Sequence, residues 1–123
     1  MSEKRFEELW DWQEAENLAL EIYQVTSRFP SEEKYILVSQ LRRAAISVFS
    51  NIAEGCGRGT DKDYSRFLIQ ARGSIQEILA QLHFSKIKKY ISDDEYKILY
   101  QRYNKLAAGI NNHIGFLRTQ EKE

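Results

Sequence analysis

The fold of this 123-residue chain is decided by the segment Leu41-Arg42-Arg43-Ala44-Ala45-Ile46-Ser47-Val48-Phe49-Ser50-Asn51-Ile52-Ala53-Glu54-Gly55. Its apolar side chains recur at helical spacing and cover roughly 200° of the circumference, whereas a surface helix needs only roughly 100°. The remaining arc carries serine and asparagine, which are poor helix formers because their side chains compete for backbone hydrogen bonds. The segment therefore predicts a helix that is buried on most sides and carries one specialised polar stripe.

A matching polar stripe lies on the next predicted helix. If the chain turns near Thr60, residues that face each other across the two helices have numbers that sum to about 120. This register would pair Arg43 with Glu77 and Arg66 with Glu54. The predicted polar seam consists of Arg43, Ser47, Ser50, Asn51, Glu54, Arg66, Ser74 and Glu77. The alternative is that both stripes face outward, toward a ligand or another subunit.

Helix breaks and capping residues predict four helices. Pro30 and the glycine-rich segment 55–59 interrupt the helical pattern. Ser31, Thr60 and Ser92 are placed to cap the helices that follow. No alternating strand pattern is present. Four helices with short connections predict an all-α fold, an antiparallel up-down-up-down four-helix bundle.

The predicted domain organisation is a single bundle that spans residues 1–123. Within it, residues 1–10 would form an N-terminal arm and residues 119–123 a frayed tail. The first helix is expected to begin near Asp11, and Ser92 with Glu95 forms a capping box at the start of the fourth. The apolar arcs of the second and third helices are wider than a monomer needs, which predicts a homo-oligomer.

Several short motifs of this chain are distinctive in combination. They are Phe29-Pro30, Gln40-Leu41-Arg42-Arg43-Ala44-Ala45, Ser50-Asn51-Ile52-Ala53-Glu54-Gly55, Arg66-Phe67-Leu68 and Gly73-Ser74-Ile75-Gln76-Glu77. Together they resemble the bacterial four-helix bundle family whose first members were noticed as open reading frames inside intervening sequences of 23S ribosomal RNA genes. The resemblance extends roughly from Leu9 to Leu117.

The resemblance implies a bundle assembled into a ring-shaped homopentamer. A related branch of the family serves as the accessory protein of diversity-generating retroelements, where it binds nucleic acid and a reverse transcriptase. The chain departs from the family pattern at three positions. Phe49 stands where a proline is common, Arg72 where a small or apolar residue is common, and Lys89 where a glycine often precedes the tyrosine.

Composition excludes several classes of protein. Eighteen basic residues balance eighteen acidic ones, which argues against a generic nucleic-acid coat. No apolar run approaches the roughly 20 residues of a membrane span, and no secretory signal is present, so we expect no membrane partner. The single cysteine, Cys56, cannot form an intramolecular disulfide. These features predict a cytoplasmic protein.

The charge is unevenly distributed along the chain. Residues 61–90 hold six basic and three acidic residues, and much of the excess lies in Lys86, Lys88 and Lys89. A basic cluster at a helix C-terminus can simply complement the helix dipole. The alternative is that these three lysines contact the phosphates of a nucleic acid.

No catalytic, cofactor-binding or metal-binding residues are predicted. Neither His83 nor His113 follows a glutamate by three residues, as a di-iron bundle site requires. Cys56 lies in a glycine-rich turn that more simply ends a helix. The sequence therefore predicts a non-enzymatic, oligomeric binding protein that contacts nucleic acid or a nucleic-acid-processing partner. The alternative is a protein–protein scaffold that binds no nucleic acid.

Overall fold

The structure is a computed structural model that describes residues 5–121. Four α-helices account for most of this range: α1 (Trp10–Thr26), α2 (Ser39–Cys56), α3 (Asp61–Ile87) and α4 (Asp93–Glu121). Shorter turns precede them: a 3₁₀ helix at Phe6–Glu8, another at Ser31–Glu33 and a π-helical turn at Lys34–Val38. No strand occurs within residues 5–121.

Each α-helix packs along two of the others. α1 lies against α2 and α4, and α3 also lies against α2 and α4, with the most extensive packing between α2 and α3. The core is formed by apolar side chains from all four helices, which is the arrangement of a four-helix bundle. Its largest fully buried side chains are Tyr103, Leu18, Ile22, Leu41, Ile52, Leu68, Ile75, Ile78, Leu82, Leu106, Ile110 and Val48.

Two of the three predicted helix caps are confirmed. The Thr60 hydroxyl accepts a hydrogen bond from the Asp63 backbone N–H at 3.1 Å, at the start of α3. At the start of α4, the Ser92 hydroxyl accepts from the Glu95 N–H at 3.0 Å and the Glu95 carboxylate accepts from the Ser92 N–H at 3.0 Å. This reciprocal pair is the predicted capping box.

The prediction that Ser31 caps the second helix is wrong. Pro30 occupies the cap position of the 3₁₀ turn in an extended conformation, and no side chain supplies a capping bond there. Because proline fixes its own φ, Pro30 takes the cap position and Ser31 becomes the first residue of the turn. The chain then passes through the π-helical turn Lys34–Val38 before α2 begins at Ser39.

The two ends of the chain differ in detail from the sequence prediction. α1 begins at Trp10, and residues 6–8 of the predicted arm form a 3₁₀ helix whose Phe6 ring packs against Trp12 at 5.0 Å. α4 continues to Glu121, so residues 119–121 of the predicted tail are helical. Residues 1–4 and 122–123, which those predictions also cover, lie outside the described residues. No helix within the described range is long and apolar enough to cross a membrane.

Candidate functional site

The interior of the predicted polar seam is a short line of hydrogen bonds between α2 and α3. The Ser74 hydroxyl donates to the Ser47 hydroxyl at 2.9 Å. The Asn51 side-chain amide donates to the Ser47 carbonyl at 2.8 Å and to its hydroxyl at 3.0 Å. All three side chains are half-buried, and the numbers of Ser47 and Ser74 differ by only one from the sum of about 120 that the sequence indicated for facing residues. The small polar residues are therefore used for close helix–helix packing.

The two cross-helix ion pairs predicted from the same register, Arg43–Glu77 and Arg66–Glu54, are wrong. Arg66 instead pairs with Asp63 at 3.2 Å, one turn back on α3, and Glu54 pairs with Arg58 at 2.8 Å, one turn on along the chain. Arg43 and Glu77 are exposed and form no ion pair with another described residue. Long charged side chains at a surface reach partners on their own helix without losing hydration.

The outer part of the seam is exposed. Ser50 and the four charged residues of the predicted seam all point to solvent, beside the half-buried Ser47, Asn51 and Ser74. The seam thus combines a packed interior with a charged rim of both signs. This rim has no net charge, so it offers no strong field to a nucleic acid.

A buried polar cluster lies at the end of the bundle where α2 turns into α3. The His113 Nδ1 and the Asp11 Oδ2 are 2.9 Å apart, with side-chain exposures of 21% and 7%. The Tyr64 ring packs on the His113 ring at 4.9 Å. Burial raises the pKa of Tyr64, and the neighbouring Cys56 and Asp11 raise it further. We call Asp11, Cys56, Tyr64 and His113 the Asp–His cluster.

No pattern in the sequence predicts the Asp–His cluster. The sequence places Asp11 at the start of the first helix and gives His113 no glutamate three residues before it, and neither pattern relates the two residues. The two residues lie 102 positions apart, so no local pattern relates them. The one usable signal was that both are polar residues within otherwise apolar stripes at the same end of the bundle.

The predicted basic residues lie at the opposite end, which we call the connection end and define as residues 27–38 and 86–95. The Lys86 ammonium lies 4.5 Å from the centre of the Tyr96 ring, and that of Lys88 lies 5.8 Å from Tyr90. Lys89 is exposed and adopts a φ of 63°, the left-handed conformation that glycine favours. Lys88 and Lys89 are exposed and Lys86 is half-buried, and the contact of these lysines with phosphates stays a prediction.

An exposed aromatic residue, which the sequence analysis did not single out, also lies at the connection end. Tyr35 is 83% exposed, the most of any large apolar side chain described, and the Lys34 ammonium lies 5.4 Å from its ring centre. Its neighbour Ile36 is 65% exposed. A stacking ring beside a cation is the combination that single-stranded nucleic acids bind. Tyr35 lies in a π-helical turn and not in a regular α-helix, so the 3.6-residue periodicity of the sequence could not predict its exposure.

Acidic residues offset the cations at the connection end. The segment has five basic residues and five acidic ones: Arg28, Lys34, Lys86, Lys88 and Lys89 against Glu32, Glu33, Asp93, Asp94 and Glu95. Two of the acids are engaged, since Glu95 pairs with Arg28 and Glu33 accepts a hydrogen bond from Tyr90 at 2.8 Å. The Glu33 hydrogen bond raises the pKa of Tyr90 to about 12. The local field is therefore mixed.

Two grooves lie on opposite sides of the bundle; one is lined by bulky apolar side chains and a glutamate, the other by small residues and an arginine. The first, groove A, has a volume of about 450 Å³ and lies between α1 and α2, lined by Glu16, Ala19, Leu20, Tyr23, Ile46 and Phe49. The second, groove B, has a volume of about 680 Å³ and lies between α3 and α4, where Arg72, Gly73, Gln76, Asn104, Ala108 and Asn111 contribute. They lie across the bundle from each other because α1 and α3 each pack on both α2 and α4.

Metal-binding chemistry finds no support within residues 5–121. This range contains no group of three or more His, Cys, Asp or Glu side chains placed to hold a metal ion. The candidate sites that remain are interaction surfaces: the connection end, the rim of the seam and the two grooves.

Comparison with known proteins identifies the family. The chain is similar to a crystal structure of a protein of unknown function from the S23 ribosomal protein family of Bacteroides thetaiotaomicron, with a TM-score of 0.76 and 17% sequence identity over 85% of this chain and 97% of that one. At this identity the similarity shows the fold alone. No curated protein matches. The family model of the 23S rRNA-intervening sequence protein matches residues 7–112. The resemblance seen in the sequence motifs is thereby confirmed, and the chain belongs to the 23S rRNA-intervening sequence protein family.

Proposed function

We propose that this chain is a non-enzymatic, self-assembling helical protein of the cytoplasm that acts by binding. The observation that carries the proposal is the set of large apolar side chains left exposed on its helices. Leu20 is 64% exposed, Tyr23 41% and Ile46 39%. Apolar surface of this extent on a small chain favours contact with other subunits. The assembled form is a ring-shaped homopentamer of single-domain bundles.

The proposed subunit is an antiparallel up-down-up-down bundle. Contacts between α1 and α4 support it, because Asp11 meets His113, Glu14 meets Arg102 and Arg28 meets Glu95. Residue numbers thus rise on one helix as they fall on the other. The Ser47–Ser74 hydrogen bond has the same sense between α2 and α3. Neighbouring helices of opposite direction are the geometry that short connections produce.

Light scattering coupled to size exclusion tests the assembly. A ring of five subunits should elute as one species with five times the 14.5 kDa chain mass, and its mass should stay constant on dilution through the micromolar range. A species with the mass of a single chain at micromolar concentration would remove the proposal.

Nucleic-acid contact at the connection end is a second candidate activity. The observation that favours it is the exposed Tyr35 beside Lys34, at the end that also carries Lys86, Lys88 and Lys89. In a ring these residues would recur in every subunit, so the exposed lysines and Tyr35 would form a repeated band around one end of the assembly. Phosphates would contact the lysines while a base stacks on Tyr35.

Charge removal at the connection end tests that activity. The triple variant Lys86→Gln, Lys88→Gln, Lys89→Gln should flatten the slope of log affinity against log salt by about 2–3, measured with a fluorescently labelled single-stranded RNA. The matched control replaces Lys62, Lys105 and Arg118, which are exposed cations outside the connection end. Tyr35→Ala should weaken binding by about tenfold without changing the salt slope.

The results separate the two functional readings. A wild-type protein that assembles but fails to bind RNA or duplex DNA at low salt is a protein–protein scaffold, the alternative drawn from the sequence. Equal loss of binding in the control triple variant would show that total charge, rather than the connection end, governs affinity.

A further inference from the structure

We propose that groove A of one subunit receives groove B of the next, so that the chain assembles head to tail through opposite sides of the bundle. This deepens the proposed function, on which it rests, by naming the two surfaces that join. The occupant of each groove is a second copy of this chain.

Groove A presents projecting apolar side chains. Leu20 is 64% exposed, Tyr23 41% and Ile46 39%, and the half-buried Phe49 lies between α1 and α2 beside them. Side chains that stand out from a helix pair need a recess on their partner to exclude water. In groove A the recess itself is lined by these bulky side chains, so a second groove A fits it less well than a surface of small residues does.

Groove B provides that recess. Its floor is lined by Gly73, Ala107 and Ala108, and no atom lies within 4 Å of the position that a Cβ would take at Gly73. Ile69 extends the apolar part of the groove and is 36% exposed. Small residues at this position let projecting side chains of another helix pair approach the backbone closely.

The charges of the two grooves are complementary. α1 carries four acidic residues; Asp11 pairs with His113, whereas Glu14 and Glu21 approach Arg102 at 3.1 and 3.9 Å. The fourth, Glu16, lines groove A and has no ion-pair partner within residues 5–121. Arg72 in groove B donates to the neutral Asn111 side chain at 2.8 Å and has no acidic partner in the same range. The next subunit supplies the missing counterion for both.

The charges also favour a head-to-tail contact over a two-fold one. A two-fold pairing of groove A with itself would bring two Glu16 carboxylates toward the same axis. A two-fold pairing of groove B with itself would bring two Arg72 guanidinium groups together in the same way. Like charges at an interface oppose association. A contact between two different surfaces closes into a ring when its rotation permits and otherwise extends into a filament.

Complementation between two damaged subunits tests the proposal. Leu20→Asp damages groove A and Ala108→Arg fills groove B; both positions are exposed, so each variant should keep its helical circular dichroism. Each variant alone should be a monomer by light scattering. Mixed in equal amounts, they should form a heterodimer of twice the 14.5 kDa chain mass, because one intact A surface still meets one intact B surface. Ile98→Asp, an equally drastic change at a 56% exposed position outside both grooves, should leave the assembly intact.

A charge exchange tests the pairing of individual residues. Glu16→Arg and Arg72→Glu should each weaken assembly by about tenfold or more, and the double variant should recover most of that loss. The recovery is a readout that a purely structural role of either residue would not produce.

Failures of the two proposals are distinguishable. A monomeric wild type removes the proposed function and this inference together. An assembled wild type whose Ala108→Arg variant keeps its mass while Leu20→Asp dissociates would indicate a two-fold contact through groove A and overturn the head-to-tail arrangement. The head-to-tail arrangement is also overturned if the mixed variants stay monomeric, or if Ile98→Asp dissociates as readily as Leu20→Asp.

Discussion

The two ends of the bundle use their polar residues in opposite ways. At the end where α2 turns into α3, the Asp–His cluster is buried and its members contact one another. At the connection end, lysines and Tyr35 are exposed, and Lys89 adopts a strained left-handed backbone conformation. One end is closed by internal contacts, whereas the other displays groups that find few partners in their own subunit.

This contrast indicates where the molecule gains stability and where it is open to a partner. Buried polar groups must be satisfied within the fold, because leaving one unpaired costs free energy. Exposed cations carry no such requirement and are free to contact phosphate or protein. Substitutions at the closed end should therefore change the free energy of unfolding, and those at the connection end should mainly change binding.

Removal of the histidine should have the largest effect on stability. His113→Leu leaves the buried Asp11 carboxylate with a single hydrogen-bond donor among residues 5–121, the Trp12 backbone N–H at 3.0 Å. We expect a loss of about 3 kcal/mol in the free energy of unfolding by urea. Arg66→Gln is the control, since its ion pair with Asp63 is exposed, and it should change stability by less than about 1 kcal/mol. Equal effects of the two changes would show that the Asp–His cluster stabilises nothing.

Close packing at the closed end should be nearly as sensitive. A Cβ at Gly55 would lie 2.9 Å from the Phe67 Cβ and 3.2 Å from the Tyr64 carbonyl oxygen, so Gly55→Ala forces α2 and α3 apart. We expect a loss of about 2 kcal/mol. Gly115→Ala on α4 meets nothing within 4 Å and should instead stabilise the protein by about 0.5–1 kcal/mol, because glycine is a poor helix former. Thermal and urea unfolding measure both, and a stabilising Gly55→Ala would contradict the packing argument.

Local features of the fold could be predicted from the sequence, and most distant pairings could not. The helices and the caps at Thr60 and Ser92 depend on residues within one or two turns, so periodicity and capping rules were sufficient. The failure at Ser31 arose because Pro30 sets the turn. The turn Ser31–Glu33 is also held by a distant residue, because Tyr90 donates a hydrogen bond to Glu33.

The candidate sites show the same division. The predicted register, in which facing residues have numbers that sum to about 120, is correct within one residue for Ser47 and Ser74, because small side chains at a helix–helix contact have little freedom. The same register failed for Arg43 and Arg66, because long side chains at the surface choose partners by local reach. The contact between Asp11 and His113 depends on tertiary packing alone, which no single sequence pattern encodes.

A change at the connection end should raise stability while it lowers binding. Lys89 has a φ of 63°, which costs a side-chain-bearing residue about 1 kcal/mol that glycine avoids. Lys89→Gly should therefore stabilise the protein by up to about 1 kcal/mol and weaken RNA binding. Lys88→Gly removes the same charge at a residue with an ordinary φ of −75° and should destabilise it by a similar amount. If Lys89→Gly destabilises the protein as Lys88→Gly does, the left-handed conformation of Lys89 costs the folded state no free energy.

The smallest expected effect is a pH dependence at the capping box of α4. The hydrogen bond from the Ser92 backbone N–H, followed by that from Arg28, holds the pKa of Glu95 below its usual value of 4.5. A carboxyl group whose pKa is lowered by folding stabilises the protein above its unfolded pKa and loses that contribution as the pH falls through the folded pKa. The difference in free energy of unfolding between the wild type and Glu95→Gln should thus be constant near neutral pH and shrink toward zero below about pH 4. The comparison is made by urea unfolding across this range. A difference that stays the same from neutral pH down to pH 3 would mean that the carboxylate charge of Glu95 is not its source, and that this ion pair and hydrogen bond contribute no pH-dependent stability.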